Sequence, residues 1–347
     1  MRDLKYLLAY VAPISAFIGL YFQGWFSPGS FYIAFVFIPL VELFRNGNTD
    51  NFSQEVEDSK SIDKIFDILL YLNVPILFLL ITYFFYTVTY QQLSNWEIGL
   101  SVLNVGIVVS TIGINVAHEL GHRQTAFEQN LSKLLLTTAL YTHFFIEHNR
   151  GHHKHVATPA DPASARLNEP LYVFWFRSSI HGYIHAWRLE NIRLKKMGLS
   201  AFSLQNQMLR LQLLQLLYII IIGIVFGPVA ILYAIAIAVV AFLLLETVNY
   251  VEHYGLQRKQ LPSGKYEAVQ PWHSWNSNHD LGRIYLYELT RHSDHHFKAT
   301  RKYQILRSFE ESPQLPFGYP GSMIISFIPP IWYYLMNKRV EQIQYNK

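Results

Sequence analysis

Eight of the 15 histidines fall in three tight clusters, and a ninth stands alone at the end of an apolar stretch. The clusters read His118-Glu-Leu-Gly-His122, His148-Asn-Arg-Gly-His152-His153 and His292-Ser-Asp-His295-His296. The ninth is His253, in Asn249-Tyr-Val-Glu-His253-Tyr-Gly. Spacings of three and four residues put the members of each cluster on one face of a helix. Imidazole is a good ligand for iron, zinc and copper. Nine such groups are too many for one ion and about right for two. A single histidine is usually a surface residue or a satisfied core residue. Three dense clusters are not explained that way, because without metal their buried ring nitrogens go unpaired, or repel once protonated.

Polar residues lie among the clusters. Glu119, Glu147, Glu252, Asp161, Asp294 and Asn249 are expected behind the ligands, since metal-bound histidine usually donates its other N–H to a carboxylate or carbonyl. Asp161 precedes a proline and fits a turn equally well. Arg123, Arg150 and Arg291 each adjoin a cluster and are expected to pair these carboxylates. The remaining histidines, His143, His155, His181, His185, His273 and His279, read as supporting, interface or surface residues.

Composition limits what can hold the metal. The 347 residues are 51% hydrophobic and include no cysteine. Disulfides, iron–sulfur clusters and thiolate metal sites within this chain are therefore excluded. An enzyme that needs single electrons has to receive them from another protein, unless it binds a flavin or haem. The net charge of +4 is too modest to point to nucleic acid.

The elements that position the histidines are membrane spans. Crossing a bilayer core takes about 20 apolar helical residues. Spans are expected near 6–24, 66–89, 98–117, 208–226 and 229–250. The shorter run 31–44 becomes a sixth if it pairs with the first across an uncharged turn. No cleavable signal is evident. With the N-terminus inside, the outer segments 25–30, 90–97 and Gly227-Pro228 contain no Lys or Arg, so all 28 basic residues lie on or at the inner side. The expected fold is an all-α membrane protein. A single integral-membrane catalytic domain over 1–347 would have six transmembrane helices and a cytoplasmic helical cap, 118–207 and 251–347, holding every histidine. Within the cap, the aromatic stretch 171–187 suits an interfacial helix or a core helix. The run 131–146 reads as a short apolar helix, and 155–170 and 257–282 read as loop.

The quoted histidine segments, with Val156–Arg166 and Trp187-Arg-Leu-Glu190, resemble the integral-membrane alkane monooxygenase family. The three-box pattern alone is shared with membrane desaturases, sterol and fatty-acid hydroxylases and xylene monooxygenase, and the Asn249–Gly255 segment narrows it. The resemblance implies a non-haem di-iron centre held by His118, His122, His148, His152, His153, His253, His292, His295 and His296. It implies dioxygen as oxidant and terminal hydroxylation of medium- or long-chain alkanes taken from the lipid. It also implies electrons from a rubredoxin and its NAD(P)H-dependent reductase, here on separate chains. The site and both termini would face the cytoplasm from the inner membrane. An acidic donor would dock on basic cap residues such as Lys154, Arg258, Lys259, Lys298, Arg301 and Lys302. Other readings stay open: another lipid or an aromatic methyl group as substrate, desaturation, haem-based electron transfer, and metal binding without catalysis. His118-Glu-Leu-Gly-His122 also matches the zinc-protease motif H-E-x-x-H, which leaves six clustered histidines unexplained.

Overall fold

The structure is a computed structural model that describes residues 2–345. Among these residues the regular structure is helical, apart from two isolated bridges, Gln260 with Tyr266 and Asn276 with Gln314. The principal helices are α1 (Asp3–Phe22), α2 (Gly29–Glu42), α3 (Lys64–Tyr90), α4 (Asn95–Gly121), α5 (Leu171–Lys196), α6 (Gln207–Phe226) and α7 (Pro228–His253). Five of them, α1, α3, α4, α6 and α7, are long and apolar enough to cross a membrane, and α2 is a shorter apolar helix. Each coincides with a stretch expected from hydropathy.

Capping residues set where these helices begin. Asn206 accepts from Leu209 N (3.1 Å) at the start of α6, and Ser94 with Glu97 forms a reciprocal box at the start of α4. Gly227 stands at φ +88° between α6 and α7, a conformation that favours glycine. The expected helix 131–146 is split instead. Ala126–Thr138 is helical, Leu140 then turns at φ +50°, and a short helix Phe144–Glu147 follows.

The chain divides into two compact units. One comprises the residues up to Phe37, Asp63–Ile146 and Ala186–Leu245; the other comprises Ile38–Ile62, Glu147–His185 and the residues from Glu246 onward. The first holds most of the apolar helices. Many of their large side chains are exposed, Ile224 at 79% and Leu79 at 70%, which in a water-soluble protein would be unsupportable and in lipid is ordinary. The second holds the loops 155–170 and 257–279 and most of the histidines. There the face Tyr172, Phe176, Ile180, Ile184 of α5 is exposed and apolar at helical spacing, as an interfacial helix requires.

One buried side chain ties three elements of the first unit. Asn104 of α4 accepts from Ser30 N (2.8 Å), its backbone carbonyl accepts from Ser30 Oγ (2.7 Å), and its Nδ2 donates to Ala16 O (3.1 Å). An apolar replacement leaves the buried Ser30 N–H of α2 without its acceptor, at about 1–3 kcal/mol, and removes the bond to α1. Asn104→Leu is expected to lower the thermal midpoint of the detergent-solubilised protein clearly, as read by loss of monodisperse protein on heating. An unchanged midpoint would show that these bonds do not hold the helices together.

Candidate metal centre

The second unit brings seven of the nine histidines into two groups. In one, His152, His253, His292 and His296 each offer a ring nitrogen within 4.8 Å of the others. The Nε2 atoms face one another: His152 to His296 at 3.2 Å, His292 to His253 at 3.1 Å and His296 to His292 at 2.9 Å. In the other group, His153 Nε2 lies 3.0 Å from His148 Nε2 and 3.1 Å from His295 Nε2. His118 and His122 belong to the first unit. His118 lies in the last turn of α4 and His122 just past its end, with rings 4.9 Å apart.

The sequence clusters are therefore not the spatial groups. Two of the three clusters divide between the groups, although their rings stay adjacent: His148 and His152 are 5.1 Å apart and His295 and His296 5.6 Å. His292 and His296 are four apart and share a group, while His295, rotated by about 100° from His296 on the helix, turns to the other. His148 and His152 are also four apart, yet they separate. They sit on a π-helical turn, His148–His152, whose wider winding brings His148 towards the same side as His153, five residues on.

Several imidazole nitrogens facing one another cannot all be satisfied by hydrogen bonds, because each pair needs one donor and one acceptor. A cation accepting every lone pair resolves this. Burial drives the His296 ring well below the ordinary imidazole range, and the neighbouring His292, His153, His152 and His253 rings act in the same direction. The ring is thus held neutral, as a ligand must be. The donor set is nitrogen-rich and free of sulfur, which fits a first-row transition ion.

The polar residues take distinct places around the rings. Asp161 Oδ2 lies 2.9 Å from His152 Nδ1, the carboxylate–histidine arrangement that frees Nε2 for a metal. Burial opposes charge on both groups; their mutual attraction outweighs it, holding the Asp161 carboxyl low and the His152 ring high. Glu252 was expected behind a ligand. Its Oε2 stands 3.2 Å from His292 Nε2, the nitrogen that faces His253 and His296. Glu147 receives His185 Nδ1 at 3.1 Å, and burial raises its pKa despite that partner. A Cβ on Gly151 would come within 2.9 Å of both residues of this pair, so the close approach needs glycine there. Asn249 donates to Glu246 (3.3 Å).

Two carboxylates pair with arginine. Glu119 pairs with Arg123 at 2.8 Å, as expected of an arginine that adjoins the cluster. Asp294, expected to support a ring, accepts from Arg307 N (2.7 Å) and faces Arg301 Nε (3.3 Å); burial raises its pKa all the same. Arg291 was expected to pair a carboxylate. It donates to the carbonyls of Leu306, Asn48 and Asp50, tying the ligand helix to the segment before α3.

The expected docking cations differ in availability. Lys154, Lys259 and Lys298 are exposed and Lys302 is partly exposed. Arg301 is only 10% exposed and is drawn inward to Asp294 and Glu57. Arg258 donates to the carbonyls of Glu267, Lys154 and Val156.

Sequence reasoning missed the clamp that holds Asp161. Arg177 pairs with Glu169 and donates to Pro162 O and Ser164 O, both at 3.0 Å. Ser164 Oγ in turn donates to Asp161 (2.6 Å). The only sequence signal was an arginine within an aromatic stretch eight residues past an acid.

This arrangement of apolar helices carrying buried, sulfur-free histidine groups defines a membrane metalloenzyme of the histidine-box class. The fatty acid desaturase family model matches residues 94–323. An alkane 1-monooxygenase of Alcanivorax borkumensis is 37% identical over 344 residues, covering 96% of this chain and 84% of its own. One from Pseudomonas aeruginosa is 37% identical over 338 residues, covering 94% and 89%. The xylene/toluene monooxygenase hydroxylase component of Pseudomonas putida is more distant, 25% identical over 353 residues, covering 97% and 89%. The chain belongs to the alkane 1-monooxygenase family and is an enzyme of that class.

Removing the support for a metal-bound ring typically costs about 10–100-fold in metal affinity. Asp161→Asn is expected to lose metal to a chelator within that range, and Arg177→Ala at its lower end. His181→Ala is expected to retain it. Equal retention by all three, read as metal per chain after graded chelator challenge, would remove Asp161 from the site.

Proposed function

We propose that the chain hydroxylates medium- or long-chain n-alkanes at the terminal carbon, using dioxygen and two iron ions. The observation that carries this reading is the pair of histidine groups in the second unit, in a chain whose relatives are named alkane 1-monooxygenases. His152, His253, His292 and His296 are assigned to one ion. His148, His153 and His295 are assigned to the other, with His118 and His122 as its remaining ligands on the count of boxes in the sequence.

A terminal C–H bond offers no acid, charge or leaving group to acid–base catalysis. The bound irons supply the oxidising power that it requires. The residues of the chain do the rest. Neutral rings such as His296 present lone pairs, and Asp161 fixes the tautomer and orientation of His152. Glu252 Oε2 lies beside the metal-facing nitrogens, where it can accept or return a proton. The balance is alkane plus dioxygen plus two electrons and two protons, giving one primary alcohol and one water. These 347 residues hold no cysteine for an iron–sulfur centre, and the electrons come from a rubredoxin served by an NAD(P)H-dependent reductase. The substrate enters from the lipid, past the apolar helices. The proposed topology is six spans in the inner membrane with both termini and the metal site on the cytoplasmic side, supported by five helices long and apolar enough to cross, a shorter sixth, and the placement of Lys and Arg. The zinc-protease reading fares poorly, because Glu119, its general base, is engaged by Arg123.

Membranes supplied with octane to hexadecane, rubredoxin, reductase and NADH are expected to yield 1-alkanols by mass spectrometry. Alkenes would instead make the chain a desaturase. Products from xylene alone would move it to the aromatic-methyl branch, and bound zinc without iron would revive the protease. For topology, a tag between Gln91 and Gln92 is expected to be reached from outside intact cells; protection of that tag would reverse the orientation.

A further inference from the structure

His118 and His122 belong to the first unit, whereas Asp161, Arg177 and Arg291, which hold the other ligands, belong to the second. The first box also sits where a helix is weakest. His118 lies in the last turn of α4 and His122 just past its end, where backbone carbonyls run out of intrahelical partners and the turn frays. Rings that must stay at fixed angles there need support from outside their own helix.

That support comes from α3. Arg123 follows His122 directly, and its guanidinium forks between two carboxylates, Glu119 at 2.8 Å and Asp67 at 3.3 Å. The three side chains are largely buried, Arg123 at 7%, Glu119 at 9% and Asp67 at 18% exposure. Glu119 is a local partner, four residues back. Asp67 stands on another helix, in the first turn of α3. One turn further along the same face of α3, the Tyr71 hydroxyl donates to Glu128 Oε1 (3.1 Å). Glu128 Oε2 accepts from Thr125 Oγ1 (2.6 Å), the residue that caps the helix Ala126–Thr138. So α3 grips the chain on both sides of the turn after His122, at Arg123 and at Glu128. The helix Ala126–Thr138 reaches back in turn: Gln129 Nε2 donates to Arg123 O (2.9 Å), and Ser132 Oγ to Ala117 O (2.6 Å), just before His118.

We propose that Asp67 is a positioning residue for the first histidine box, fixing His118 and His122 through Arg123, and that it governs one of the two ions alone. The proposal rests on the assignment above of His118 and His122 to the second ion. The ligands assigned to the first ion, His152, His253, His292 and His296, lie in the second unit. Removing the Asp67 carboxylate leaves Arg123 in a balanced pair with Glu119, so the tie to α3 is lost without stranding a buried charge. Alanine is also a good helix former, so the first turn of α3 is not weakened.

The test is graded chelator challenge of purified, iron-57-loaded protein, read as iron per chain and as the Mössbauer component that disappears. Asp67→Ala is expected to release one iron about tenfold more readily than the wild type, the lower end of the range for groups behind a ligand, and to hold the other as before. The component it loses is expected to be the one that His296→Ala retains. Asp67→Glu keeps a carboxylate near Arg123 and is expected to recover most of the loss. Arg123→Lys keeps the charge but cannot fork to two carboxylates, and is expected to lose the same component. An Asp67→Ala protein that loses both irons together, neither, or the component that His296→Ala also loses would overturn the proposal. Wild-type protein that binds a single iron would instead remove the two-ion assignment, and this role with it.

Discussion

Buried imidazoles whose ring nitrogens face one another at about hydrogen-bond distance are a costly arrangement in a protein without metal. Each ring has one donor and one acceptor when neutral, and a crowd of them cannot alternate consistently. Protonation is worse, since burial and like charge both oppose it, as the depressed His296 ring illustrates. A cation held between the rings would meet this constraint in the second unit. The features around them follow from the need to hold neutral rings at fixed angles where water is scarce.

That holding is done by charge fixed to backbone. Asp161 orients His152, Ser164 and the Arg177–Glu169 clamp orient Asp161, and Arg291 fastens the third histidine box to the carbonyls of residues 48, 50 and 306. Arg307 and Arg301 perform the same service between Glu57 and Asp294. Pairs of this kind contribute little to stability when exposed, but breaking a buried one by removing a single partner is strongly destabilising. Here their service is geometric: a ligand helix of six residues, His292–Phe297, is too short to hold its own shape.

The apolar helices were legible in the sequence because a bilayer imposes a length, and 20 or more apolar residues seldom occur for another reason. The histidines were legible because their density had no bland explanation. The partition of the clusters between two groups was not legible. It depends on a π-helical turn at His148–His152, and one extra residue in a turn leaves no mark in the pattern. The side of the rings on which Glu252 stands, and the inward turn of Arg301 towards Asp294 and Glu57, depend on partners far away in the chain. Spacing could propose Glu119 with Arg123, four residues apart; it could not propose Arg307 with Glu57.

The central claim is that the histidines form two separate metal sites, one of them built from His152, His253, His292 and His296. Its most direct test is the iron content of purified protein, measured by metal analysis with Mössbauer spectroscopy of iron-57-grown samples. The account predicts two irons per chain in the wild type, and one in His296→Ala, with the spectrum of the remaining iron matching one component of the wild type. A wild type that holds a single iron, or a His296→Ala protein that keeps both, would contradict it.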